Sequence, residues 1–252
     1  MISIDDLEHA AAASWRAVEE DRLGDWLLRA ADGFTGRANS ALAAGDPGRP
    51  TAAAVDAVRG WYAVRGLPPM IAVPYPTGRP ADSGLDRMLA GLGWEIRAGP
   101  ATVLTAEPGA VVRAAGTAGL GVGVAVDLAP DQAWLDRYHY RGQDLPPIAR
   151  RLLTSAPWQA FASVRADGET IAIGRVAGGR AFAGLTAIEV DPARRRERIA
   201  TAVTAALARC AAERGARCLY LQVADDNHAA RALYQALGFT DHHGYHYRIA
   251  PR

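Results

Sequence analysis

Hydrophobic and polar positions along this chain switch repeatedly between helical and strand spacing. Residues 4–19 set Leu7, Ala11 and Trp15 on one face and predict a helix. Residues 25–31 and 35–42 read as short strands joined at Asp32-Gly33, a turn dipeptide. Thr51 can cap a helix that runs to about Arg65, is closed by Gly66 and is followed by Pro68-Pro69. A short apolar strand at 70–73, a Pro/Gly loop at 75–83, a helix at 85–92 ending in Gly93, and an extended stretch at 94–105 complete the first half.

Residues 107–121 are rich in Ala and Gly and read as a linker, with a short strand at 110–113. Beyond it the order is a strand at 123–127, helices at 131–141 and 146–154, and hairpin strands at 161–165 and 170–176 around Asp167-Gly168. A long apolar strand at 181–190, a helix at 195–214, a strand at 218–223, a helix at 227–237 and an extended end at 239–249 follow. The continuously apolar run at 218–223 is of the kind buried on both faces. The pattern therefore predicts one domain over 1–106 and a second over 122–252, both mixtures of sheet and helix.

The step from the strand ending at Val190 into the next helix carries the strongest local chemistry. It reads Val190-Asp191-Pro192-Ala193-Arg194-Arg195-Arg196-Glu197-Arg198-Ile199-Ala200. A helix start offers unsatisfied N–H groups and the positive pole of the helix dipole, which suit a phosphate. Four arginines add charge-assisted donors. Taken alone, the segment also reads as a solvated basic helix start.

With the segment Asn227-His228-Ala229-Ala230-Arg231-Ala232-Leu233-Tyr234-Gln235-Ala236-Leu237-Gly238-Phe239 added, the second half resembles the GNAT acetyltransferase superfamily. That family shows V-x-P and then Q/R-x-x-G-x-G/A, met here by Arg195 and Ala200. It also shows an Asn before a helix ending in L-Y-x-x-L-G-F, met in full. The resemblance covers roughly 122–248. It implies an α/β (α+β) GNAT fold, a mixed and mostly antiparallel sheet flanked by helices, and an acetyl-CoA-dependent N-acetyltransferase. The strand at 181–190 should splay from the strand at 218–223, with acetyl-CoA between them. Ile188, Val190 and Asn227 would bond the pantetheine arm. Arg195, Arg196, Arg198, Ala200 and Thr201 would hold the pyrophosphate. Tyr234 would protonate the leaving thiolate. Two departures stand out: Arg198 occupies the family's first Gly position, and Gln222 stands where some relatives carry a basic Glu. Glu189 is the carboxylate left for the base, and a water chain is the alternative. The tail of the first half, Leu85 to Trp94 and then a strand, echoes Leu233 to Phe239. It suggests a second, smaller and degenerate GNAT-like domain in a tandem arrangement, with a mixed sheet-plus-helix cap as the alternative.

Composition narrows the rest. The chain has 252 residues, 28 basic against 27 acidic side chains, and a formal net charge of +1. All the basic side chains are arginine. That balance asks for neither nucleic acid nor an anionic membrane. No segment approaches the apolar length of a membrane span and no leader is recognised, so the expected location is cytoplasmic. Cys210 and Cys218 fit no zinc or redox spacing and read as small buried side chains. His242, His243 and His246 lie in the last strand, where alternation splits His242 and His243 onto opposite faces, so no metal is expected. Arg37, Asn39 and Ser40 are the candidates to line the acceptor pocket. The expected partner is a small-molecule or peptide amine, and a homodimer is compatible with it. The rival from another class is a non-catalytic acyl-CoA-binding regulatory module that kept the fold.

Overall fold

The computed structural model describes residues 2–78, 84–117, 123–139, 142–179 and 181–251. Residues 79–83 of the Pro/Gly loop, 118–121 of the linker with Val122, and the expected helix end at Arg141 lie outside the described residues. The elements in chain order are α1 (Ile4–Ser14), β1 (Glu19–Leu23), β2 (Trp26–Ala30), β3 (Ala41–Leu42), α2 (Thr51–Ala63), β4 (Met70–Pro76), α3 (Gly84–Gly91) and β5 (Glu95–Ala106). Then follow α4 (Pro108–Ala115), β6 (Val124–Asp127), α5 (Gln132–Arg137), α6 (Ile148–Leu153), β7 (Trp158–Ala166), β8 (Glu169–Gly178) and β9 (Phe182–Val190). A 3-10 turn (Pro192–Arg194) leads into α7 (Ile199–Glu213), β10 (Cys218–Ala224), α8 (His228–Ala236) and β11 (Thr240–Ile249).

Two compact units result. Unit 1 takes Met1–Val103, Val223–Asp226 and Asp241–Arg252, and unit 2 takes Leu104–Gln222 and Asn227–Thr240. In unit 1 the strands lie in the order β1-β2-β3-β4-β11. β3 and β4 are parallel, and β4 pairs antiparallel with β11 from His243↔Pro76 to Ile249↔Met70. In unit 2 the order is β10-β9-β8-β7-β6, antiparallel except for the parallel pair β9 and β10. Each unit thus has strand, helix, parallel strand, helix: β3-α2-β4-α3 and β9-α7-β10-α8. The helix ends repeat too. Gly93 and Gly238 sit at φ 77° and 86°, the left-handed closure that glycine adopts without strain. Trp94 N–H donates to the Leu89 carbonyl and Phe239 N–H to the Tyr234 carbonyl. The expected GNAT-like repeat is therefore present, and Leu89, fully buried, stands where unit 2 has Tyr234.

Several local expectations change. α1 stops at Ser14 because Glu19–Leu23 forms an edge strand, polar and exposed except at Leu23. Only Ala41–Leu42 of the stretch 35–42 is strand. Asn39 organises the turns before it, accepting from Ala31 and Gly33 N–H and donating to the Phe34 and Thr35 carbonyls. Thr51 is the first residue of α2 and does not cap it; Pro50 does, without a side-chain bond. Residues 110–113 are helical, since Glu107 caps α4 by accepting from Gly109 and Ala110 N–H. α7 begins at Ile199, Arg194 ends the 3-10 turn, and Arg195, Arg196 and Arg198 lie in the loop between. Cys210 and Cys218 are buried free thiols. Among the described residues, no helix is long and apolar enough to cross a membrane.

The core of unit 1 includes buried charge on β11. His246 Nε2 lies 2.7 Å from Asp86 Oδ1, and Arg248 donates to both Asp86 oxygens at 2.9 and 2.8 Å. His242 and His243 do not part to opposite faces: their Nδ1 atoms meet at 2.8 Å, and His243 Nε2 lies 2.7 Å from Glu8. The register with β4 begins only at His243, which leaves His242 outside it. Burial pushes the Asp86 carboxyl up, but the Arg248 and His246 bonds outweigh this and hold it below its ordinary value. A carboxylate lowered on folding stabilises the fold above its unfolded value near pH 4, and that stability is lost as pH falls through the lower folded value. Asp86→Asn should therefore unfold at lower urea concentration at pH 7, by about 3–5 kcal/mol for a broken buried pair. Its stability should also change less than wild type between pH 5 and pH 3, which urea titrations across that range would check.

Candidate functional site

The site begins with a break in pairing. β9 and β10 are paired only over Phe182–Leu185 and Cys218–Leu221. On its other side β9 stays paired to β8, with a register slip between Ile173 and Arg175 that is taken up by Ala187 at φ 54°. The rest of β9 leaves β10, as the expected splay requires. A cleft of about 760 Å³ lies here, inside unit 2, within the usual range of small-molecule sites. It brings together Ile188, Glu189, Val190, Arg195, Arg196, Arg198, Ala200, Thr201, Asn227 and Tyr234. These include every donor-site and catalytic residue singled out in the sequence. Arg194, Ile199, Ala229, Ala230 and Leu233 join them.

One end of the cleft is built for an anion. α7 has no side-chain cap, so its first-turn amides have no partner from their own helix start. The residue at its cap is Arg198, at φ 60° and ψ 14°, and Arg196 is at φ 67°. Both adopt a left-handed conformation that costs an L-residue roughly 1–2 kcal/mol. The glycine position of the motif has therefore kept glycine's backbone while carrying arginine's charge. Arg194 is spent on Glu197, to which it donates at 2.9–3.1 Å. That pairing raises the guanidinium's affinity for its proton and lowers the Glu197 carboxyl. Among the described residues, no carboxylate pairs with Arg195, Arg196 or Arg198.

The other end is apolar and holds Tyr234. Its ring stands edge-on to Phe239, with centroids 5.7 Å apart, and only 9% of the residue is exposed. Burial pushes its hydroxyl up to about 12, so it keeps its proton at neutral pH. Asn227 caps α8 by accepting from Ala230 N–H at 3.2 Å, which leaves its NH2 group for a ligand. Glu189 accepts from the backbone N–H of His139 at 3.1 Å, and its other oxygen lies 3.5 Å from His139 Nδ1. Arg137 donates to Asp191 at 3.2 Å, a second tie from the end of α5 to the end of β9. Sequence reading missed His139 and Arg137. Nothing local marks them, because their partners are 50 and 54 positions away.

Arg37, Asn39 and Ser40 belong to unit 1. Asn39 is committed to its turn, as above. Ser40 is fully buried, and both its carbonyl and its hydroxyl accept from Arg29, at 3.0 and 3.1 Å. Arg37 lies 4.9 Å over the Trp15 ring. Among the described residues, no group of three His, Cys, Asp or Glu is arranged to hold a metal ion.

Splayed parallel strands, an amide-rich helix start and a Tyr-bearing helix across from it define an acyltransferase of the GNAT type. The fold is that of a GCN5-related N-acetyltransferase from Kribbella flavida, with a TM-score of 0.71 over all of this chain and 97% of that one at 20% identity. It is also that of a tandem GNAT protein from the clavulanic acid biosynthesis pathway, with a TM-score of 0.68 over 89% of this chain and 78% of that one at 16% identity. In sequence, the probable histone acetyltransferase Rv0428c of Mycobacterium tuberculosis is 32% identical, over 97% of this chain and 72% of that protein. The family model described as probable histone acetyltransferase Rv0428c C-terminal matches residues 2–248, and the chain belongs to that family. It is an acetyltransferase.

The loop geometry makes a stability prediction free of any ligand. Arg198→Ala and Arg198→Gly both remove the guanidinium, but only glycine removes the left-handed cost of ~1 kcal/mol. In a chain of this length Arg198→Gly should melt roughly 2–4 °C above Arg198→Ala. Equal melting temperatures would show that the loop stores no such strain.

Proposed function

We propose that the protein transfers an acetyl group from acetyl-CoA to a primary amine by direct attack in a ternary complex. The observation that carries this reading is one cleft with an uncapped helix start and, at the same end, three arginines that pair with no carboxylate among the described residues, and a splayed strand edge with Tyr234 at the other end. That layout fits a polyanionic head on a thin, amide-bearing arm. In this reading unit 2 is the acetyltransferase domain, unit 1 is the degenerate GNAT-like domain, and the location is cytoplasmic.

Acetyl-CoA would supply an acetyl thioester already activated for attack. Arg195, Arg196 and Arg198, with the amides up to Thr201, would hold the pyrophosphate. Backbone groups at Ile188 and Val190, freed from β10, would bond the pantetheine arm, and a freed N–H would stabilise the oxyanion. Asn227 would bond the arm from α8. Glu189 would take the proton from the attacking amine. Tyr234 would hand its own proton to the departing sulfur and recover one from water, so that amide and free thiol leave together. With its hydroxyl near 12, Tyr234 stays a proton donor across pH 6–9.

The name of the mycobacterial relative makes a basic, lysine-bearing peptide a sensible first acceptor, beside small amines. Calorimetry with acetyl-CoA, followed by thiol release with such a panel, tests the reading. Binding without turnover would favour a non-catalytic acyl-CoA-binding module. Tyr234→Phe should lower kcat roughly 10- to 1,000-fold while the KM for acetyl-CoA changes less than about two-fold. A variant with full kcat would remove Tyr234 from the mechanism. Arg198→Ala should weaken CoA binding by ~1–3 kcal/mol, less so at high salt.

A further inference from the structure

Asp191 follows β9 directly, and every polar group it has is used. Its N–H donates to the Ile171 carbonyl on β8 at 2.8 Å, and its carbonyl accepts from Arg194 N–H at 2.9 Å. One carboxylate oxygen accepts from Ala193 N–H at 2.8 Å and the other from Arg137 Nη1 at 3.2 Å. Asp191 therefore fastens the sheet, the 3-10 turn and the last residue of α5 to one another. α5 is a fixed support: Trp134 is buried on it and donates its indole N–H to the Ala162 carbonyl on β7 at 3.0 Å. Arg137 reaches Asp191 with a side chain that is 18% exposed, and its Nε and Nη2 are buried with no partner among the described residues. A tie made for stability alone would satisfy those donors, because a buried donor left unpaired costs more than an ordinary hydrogen bond returns.

The loop that begins at Asp191 needs such an anchor. Arg196 and Arg198 hold left-handed conformations that L-residues resist, and no side chain caps α7. The far end of the loop is held by α7 itself, where Ala202 N–H donates to the Arg198 carbonyl at 3.1 Å. The near end is held by Asp191. We propose that Arg137 is a positioning residue for the coenzyme: through Asp191 it fixes the near end of the loop whose Arg195, Arg196 and Arg198 line the cleft. The proposal rests on acetyl-CoA being the ligand of that cleft. A pyrophosphate is held by several donors at once, so a loop that must first be ordered binds it less tightly than one already in place.

Calorimetry with CoA on the full chain, which needs no acceptor, tests the proposal. Arg137→Met keeps much of the bulk and removes the donors; it should weaken CoA binding roughly ten-fold, the scale of one charge-assisted hydrogen bond. Arg137→Lys still carries a donor for Asp191 and should stay within about three-fold of wild type. Asp191→Asn keeps an oxygen for Ala193 N–H, loses the acceptor for Arg137, and should weaken binding by a similar factor. The two losses should not add: the double variant, Arg137→Met with Asp191→Asn, should lie within about two-fold of the weaker-binding single one. With the amine turned over fastest in the panel above, the loss should appear in the KM for acetyl-CoA while kcat stays within about three-fold of wild type, because Arg137 is outside the set of residues that line the cleft. Wild-type affinity in Arg137→Met would overturn the proposal, and so would losses that add in full. Tighter CoA binding by Asp191→Asn would overturn it too, since that is the sign expected if the pair acts only as two distant charges. A pair that merely holds the fold together would lower the melting temperature and leave CoA affinity alone, again overturning it. If Arg137→Met fails to fold, the sign of the change in Asp191→Asn decides. A wild-type chain that binds no CoA would instead remove the acetyl-CoA reading itself.

Discussion

The site depends on one strand keeping one neighbour and giving up another. β9 must stay bonded to β8 along its length and abandon β10 after Leu185. A flat, regular strand does not do this, because its unpaired edge would still lie beside its partner. The slip opposite Ile173 and Arg175, with Ala187 in a left-handed conformation, turns the strand outward. Backbone groups that a sheet would consume are then left facing a cleft, and unspent backbone groups are a binding resource. The cost is local strain of the kind that collects at functional sites, of order 1–3 kcal/mol per residue. Three of the six non-glycine residues at positive φ among the described residues, Ala187, Arg196 and Arg198, lie on the strand and loop that border this cleft.

Unit 1 shows what the same plan looks like without that resource. Its loop before α2 is also an Asp-Pro segment, but two of its amides are taken by carboxylates. Asp46 N–H donates to the Asp25 carboxylate and Gly48 N–H to the Asp46 carboxylate. Two acidic side chains, Asp25 and Asp46, tie down this loop, and Leu89 fills the core where unit 2 has a tyrosine. Unit 1 invests instead in buried polar clusters: Asp86 with His246 and Arg248, Glu8 with His243, and Arg29 with Ser40. Such clusters add little net stability and a great deal of geometric definition, because a half-satisfied one is costly.

What the sequence revealed divides along the same line. The set of residues that line the cleft was legible because they are local in sequence: the arginine-rich helix start and the Asn227-to-Phe239 run are each contiguous, and the fold had only to bring two segments together. The order of strands and helices in the second half was legible because apolar periodicity is strong there. The first half misled where structure is imposed from a distance. Glu19–Leu23 is a strand by virtue of its neighbour β2 and not of its own polar residues. Asn39 and Ser40 were read as candidates to line an acceptor pocket and are buried, where the turn at 31–35 and Arg29 satisfy them. The backbone bond from residue 139 to Glu189 was invisible for the same reason, since its two ends are 50 positions apart.

The position of β11 also sets a schedule. Its partner β4 leaves the ribosome early, while the residues that pair with it are made roughly 170 positions later, a wait of roughly 10–30 s at ordinary synthesis rates. Throughout that interval Met70, Ile71, Ala72 and Val73 present an apolar strand with one edge open, the kind of template on which nascent chains stick to one another. Unit 2 gains most of its strands in the meantime. The half of the chain that begins first is thus the last to close, and the nascent protein must shield β4 until its C-terminal strand arrives.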